Sequence, residues 1–196
     1  MADRRAGAGP SLVELSVALT ALVVSVASLF VARHQAQVMD RQLAASVWPL
    51  LQSFTSNLDE RGQSGVSKLS VLNAGVGPLR IRSFRVSYRG RPMSGPGALF
   101  RACCAGGDTL HAPAWVESYT YGRVLRPGEQ VDYLTVERDP RVRPDAYDAF
   151  ERARDQIAVR ACYCSVLDDC WVKGEEDPEP VPVKSCAEEQ QAPQYR

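Results

Sequence analysis

A mainly β fold behind an N-terminal membrane helix is what this sequence predicts, as an immunoglobulin-like antiparallel sandwich with one short helix. Three observations point there: an unbroken apolar run near the start, short alternating strands from Val47 onward, and six cysteines confined to the second part. The run is Leu12 to Ala32, interrupted only by Glu14. At 1.5 Å per residue, about 20 helical residues cross a hydrocarbon core of roughly 30 Å. A cleaved signal peptide would have a shorter apolar stretch and a small-x-small site, whereas this run enters Arg33-His34-Gln35 directly. A buried core helix would need a cover that the first 11 residues cannot supply. An uncleaved anchor is the reading adopted.

Glu14 is costly inside lipid. Ser11 and Glu14 have the spacing of a capping box, which keeps the carboxylate at the helix start, near the positive end of the dipole. Residues 33–46 contain no Gly or Pro, so the helix is expected to continue to about Ala45 and stop before Trp48-Pro49. Ala18, Ala21, Ser25, Ser28 and Ala32, in line with Ser11 and Glu14, recur at spacings of three and four. They form a small-residue seam suited to helix pairing and a homo-oligomer. The expected organisation is a cytoplasmic N-terminus (1–10), the helix (11–46), a β domain (47–174) and an acidic, proline-rich tail (175–196) that is extended and mobile apart from Cys186.

The strands follow in order. Residues 47–54 and 66–73 are divided by a polar stretch, and Asn73-Ala74-Gly75-Val76-Gly77-Pro78 makes a glycine-rich turn. Residues 79–91 form a long strand whose inward positions change parity, from Leu79 and Ile81 to Phe84, Val86 and Tyr88. A bulge near Arg82-Ser83 accounts for the change and lets Arg80, Arg82, Arg85 and Arg89 face solvent. Residues 93–113 read as a loop. Strands at 115–120 and 130–136 flank the turn Arg126-Pro127-Gly128-Glu129. A short helix covers 145–155, and 157–166 with 170–173 make a hairpin closed at Asp168-Asp169. In that hairpin Ile157, Val159, Ala161 and Tyr163 take one face and Cys162 and Cys164 the other.

The net charge of zero argues against nucleic acid, whose binding requires phosphate neutralisation. The ratio of 20 Arg to 3 Lys reflects a GC-rich, bacterial coding style. No nucleophile elbow, Walker loop or dinucleotide fingerprint occurs. The histidines, His34 and His111, have no evident catalytic partner, so no catalytic, cofactor or metal residue is assigned.

The cysteines are the one chemical constellation: Cys103, Cys104, Cys162, Cys164, Cys170 and Cys186. Six in one domain suit an oxidising compartment, and this sets the expected topology: single-pass in the inner membrane, N-terminus inside, domain in the periplasm or extracytoplasmic space. The flanking arginines alone nearly tie. Six thiols allow 15 pairings. The expected one joins Cys103-Cys104 to Cys162 and Cys164, and Cys170 to Cys186. An alternative reading makes Cys103, Cys104, Cys162 and Cys164 a thiol-redox or metal-handling cluster. C-x-C and C-C lack the turning residues of zinc knuckles, and no C-x-x-C occurs.

The segments ASVWP (45–49), N-x-G-x-G-P (73–78) and CYCSVLDDCW (162–171) together resemble a family of uncharacterised bacterial single-pass membrane proteins with a cysteine-containing β-sandwich ectodomain. The resemblance implies the same anchor-plus-domain plan and adds no catalytic residue. The functional expectation is a non-enzymatic, disulfide-stabilised module on the lipid bilayer that binds another envelope protein or a glycan.

Overall fold

The computed structural model describes residues 11–59, 61–104, 113–139, 144–174, 177 and 179–195. The N-terminal segment 1–10 and His111 lie outside these residues. The chain divides into two units, Met1–Ala45 and Ser46–Arg196.

The first unit is carried by α1 (Leu12–Ser46), a single helix long and apolar enough to cross a membrane, with no buried residue. Its 35 residues extend about 52 Å. The capping box is present: the Ser11 amide donates to Glu14 Oε2 at 2.8 Å, and the Glu14 amide donates to Ser11 Oγ at 3.3 Å. Along the small-residue seam, Ser25 Oγ donates to the Ala21 carbonyl and Ser28 Oγ to the Val24 carbonyl, both at 2.8 Å. These hydroxyl protons are therefore used within the helix.

The second unit mixes helices with two antiparallel sheets. Its elements are β1 (Leu51–Leu58), β2 (Ser64–Asn73), β3 (Leu79–Tyr88), β4 (Arg91–Met93), α2 (Pro96–Cys103), β5 (Ala114–Glu117), β6 (Val124–Leu125), β7 (Gln130–Glu137), α3 (Pro144–Ala153), a 3₁₀ turn (Arg154–Gln156), β8 (Ile157–Cys164), β9 (Cys170–Lys173), β10 (Val181–Val183) and α4 (Ala187–Gln191). One sheet runs β1-β2-β7-β5. The other runs β10-β9-β8-β3-β4, with β6 also paired to β3. The two sheets share one core, in which Phe84 of β3 meets Tyr133 of β7 edge-on at 5.1 Å.

The bulge in β3 lies between Ile81 and Ser83, at the expected phase change. Three expectations need correction. Arg80 and Arg85 are not free on a solvated face: Arg80 pairs with Asp168, and Arg85 with Glu189. The expected 93–113 loop contains α2, whose Leu99 and Phe100 are buried. Phe100 packs at 5.1 Å from Trp115 and 5.7 Å from Phe150. Pro96 opens this helix at its first turn, a start signal that Gly95 and Gly97 disguise as a turn.

The third correction concerns the tail, which belongs to the second unit. Residues 181–183 pair with β9, and α4 places Glu189 between Arg85 and Arg160. Gln194 Oε1 accepts from the Phe84 amide at 2.7 Å. Tyr195 is buried, with its ring edge-on to both Phe84 and Tyr133. Sequence composition marks this segment as acidic and extended, but Val183, Cys186, Glu189 and Tyr195 have partners in the fold.

Candidate functional site

Two sites stand out in the second unit: a cleft beside β1 and a sulfur cluster on β8. The cleft is built from the chain entry at Val47–Leu50. Gly75 and Gly77 pass so close to that segment that a Cβ on either would collide with backbone of Val47 to Leu50. Asn73 is fully buried between them and satisfied on both ends of its amide. Its Nδ2 donates to the carbonyls of Gly77 (2.8 Å) and Leu125 (3.1 Å), and its Oδ1 accepts from the amides of Gly75 (3.1 Å) and Leu50 (3.4 Å). The N-x-G-x-G-P motif is thus a clasp: Asn supplies the hydrogen bonds, and the glycines permit backbone-to-backbone approach. It sets the position of Trp48 and the start of β1.

From there β1 runs along a cleft of about 830 Å³. Five consecutive β1 residues, Leu51 to Thr55, line it. Side chains on a strand alternate between faces, so a cavity over a face meets every second residue. A run of five means that the cleft reaches β1 from its edge, where it has no strand neighbour among the described residues. The facing wall has the same character. Ile157, Ala158 and Val159 of β8 line the cleft consecutively; β9 pairs with residues 161–164, and among the described residues no strand pairs with 157–159 on that side. Trp48 and Phe54 offer partly exposed rings (44% and 38%), and Trp171, stacked on Tyr163 at 6.0 Å, is half-buried beside them. Lys173 and Glu179 supply one charge of each sign. Burial pushes the phenol of Tyr133, at the cleft floor, well above its ordinary range.

None of the cleft residues was assigned to a site from sequence. The available signal was in LQSFTSNL itself, which is polar on both faces and so reads as an edge strand.

The cysteines are all disulfide-bonded, in a pairing that differs from the expected one. Cys103 joins Cys104, Cys162 joins Cys186, and Cys164 joins Cys170. The loop pair is not tied to the β8 pair, so the four-sulfur set 103/104/162/164 is not assembled. The Cys103–Cys104 bond closes no chain loop and sits at the end of α2, partly buried against the core. Cys162 and Cys164 share the outer face of β8, as their spacing requires, and face the 179–195 segment. Cys164 and Cys170 are direct cross-strand partners with Cα atoms 4.0 Å apart. The two disulfides touch, with Cys164 Sγ 3.7 Å from Cys186 Sγ. Cys164, Cys170 and Cys186 bring three sulfurs within 4.8 Å of one another.

Beside this cluster Arg160 donates to Glu189 through Nη2 at 2.7 Å and Nε at 3.1 Å, and Arg85 pairs with the same carboxylate. The Arg160 hydrogen bonds, aided by the charges of Arg85 and Arg160, hold the Glu189 carboxyl below its ordinary range against the opposing effect of burial. Asp168 and Asp169 serve the β8–β9 turn, where Asp168 adopts φ 64° and the Ser165 amide donates to the Asp169 carbonyl at 2.8 Å.

No protein-family model, curated protein or solved structure matches the chain.

Proposed function

We propose that this protein is a membrane-anchored, extracytoplasmic binding module without catalytic activity, which captures an extended segment of another envelope protein by β-strand addition in the β1–β8 cleft. The observation that carries the reading is the pair of strand edges, without a strand neighbour among the described residues, that face one cleft and line it with consecutive residues. A peptide strand laid there gains main-chain hydrogen bonds from an edge and side-chain contacts from Trp48, Phe54 and Trp171. The three disulfides support an oxidising compartment, hence a domain outside and an N-terminus inside, with α1 as the single bilayer-spanning anchor. In this reading the ten strands form an immunoglobulin-like sandwich in the loose sense, and the protein belongs with the single-pass membrane proteins its motifs resemble.

The test places a photo-crosslinking amino acid at Ser53 in cells expressing the full chain, with the adduct identified by mass spectrometry. The expected adduct is a peptide segment of one envelope protein. A synthetic copy of that segment should then slow amide exchange at alternate residues of 51–55, those whose N–H groups face outward. Adducts with polysaccharide alone, or peptide binding without this alternating protection, would overturn strand addition. A phosphatase that is active only after export, fused behind Arg196, should be active; an inactive, stable fusion would reverse the topology.

A further inference from the structure

The two disulfides on the outer face of β8 have a property that neither would have alone. Cys164 Sγ is bonded to Cys170 yet lies 3.7 Å from Cys186 Sγ, which is bonded to Cys162. A shift of less than about 2 Å would bring this contact to the bonding distance of roughly 2.05 Å. The four residues are graded in exposure: Cys170 is 8% exposed, Cys186 5%, Cys164 3% and Cys162 0%. Cys170 is thus the least enclosed of four buried cysteines, and exchange is taken to open there. Once opened, the Cys170 thiol has an acceptor at hand, since the Asp168 carbonyl is 3.3 Å from its sulfur. The released Cys164 sulfur lies across the ladder from Arg80, on the same sheet face, and Arg80 Nε is buried with no hydrogen-bond partner among the described residues. A guanidinium on the same face favours the thiolate, the nucleophilic form, with Nη2 of Arg80 also engaged by Asp168 and the Ser165 carbonyl.

From this geometry we infer that Cys162, Cys164, Cys170 and Cys186 form a thiol–disulfide relay, in which a dithiol that opens Cys164–Cys170 transfers Cys186 from Cys162 to Cys164. The external dithiol attacks Cys170 Sγ, breaks the bond to Cys164, and resolves to its own disulfide, leaving Cys164 and Cys170 reduced. The Cys164 thiolate then attacks Cys186 Sγ. A Cys164–Cys186 bond forms, the Cys162–Cys186 bond breaks, and the electron pair leaves on Cys162, which takes a proton. Two electrons enter from the dithiol and reside on Cys162 and Cys170. The tether of the 179–195 segment thereby moves two residues along β8. This inference is independent of the cleft and of any ligand in it.

The full chain in detergent is treated with limiting dithiothreitol, quenched with iodoacetamide, and mapped by mass spectrometry of non-reduced peptides. The expected species with one cluster disulfide left carries Cys164–Cys186, with Cys162 and Cys170 alkylated, as at least about half of the population. Retention of Cys162–Cys186 with Cys164 and Cys170 alkylated overturns the relay. The C162S variant gives a second readout without reductant. It should contain Cys164–Cys186 and an alkylated Cys170, whereas an intact Cys164–Cys170 bond with an alkylated Cys186 overturns the relay.

Discussion

The two faces of β8 are held by different physics. Inward, Val159, Ala161 and Tyr163 join a core drawn from both sheets, where each side chain gains by leaving water. Burial there pushes the Tyr163 phenol up to about 12. Outward, Cys162 and Cys164 meet a short segment that brings to this face little apolar surface besides Cys186 and Val183, alongside Val172 of β9. Apart from Tyr195 at its end, which enters the core, that segment buries little apolar area, and it is held by a disulfide, a shared carboxylate and a few hydrogen bonds as well. One strand therefore shows where hydrophobic area suffices and where covalent and ionic ties supplement it.

The largest way to break the comparison is on the inner face. Phe84→Ala removes ring contacts to Tyr133 and Tyr195 at a fully buried position. It should cost about 3–5 kcal/mol in denaturant unfolding and shift the whole domain's transition.

Removing the outer tie should act through the unfolded chain. The Cys162–Cys186 bond spans 24 residues and the Cys164–Cys170 bond six. Loop-closure entropy then assigns about 3.5 and about 2.2 kcal/mol to them. The paired variant C162A/C186A should also speed amide exchange in 181–195 before it affects β8's inner neighbours, a signature that core truncation lacks. Equal acceleration throughout would show that the two faces are one cooperative unit.

The ionic tie is smaller. Glu189→Gln should cost about 1 kcal/mol or less, since the arginines remain partly in solvent. The sign with pH follows from the lowered folded-state pKa of Glu189. Its stabilisation is complete above the ordinary glutamate range and is lost as pH falls through the lowered value. The melting-temperature gap between wild type and E189Q should therefore close on acidification; a gap that widens would contradict the assignment. The smallest effect is expected for C103A/C104A. With adjacent cysteines there is no loop to close, so about 0.5 kcal/mol or less should be lost. A larger loss would mean that this pair holds α2 by packing.

The periodic features of this chain were legible without coordinates. A helix of 35 residues follows from its apolar run, its lack of Gly and Pro, and the Ser11–Glu14 cap. The β3 bulge follows from a change of parity, and the division of β8 into apolar and cysteine faces from a repeat of two. These are local properties, written in neighbouring residues and read by counting. Disulfide pairing, the attachment of β6 to β3 while β7 joins the other sheet, the docking of residues 181–195, and the meeting of two strand edges at one cleft were settled only by the fold. Each depends on which distant segments meet, and contacts between distant segments leave no period in a sequence.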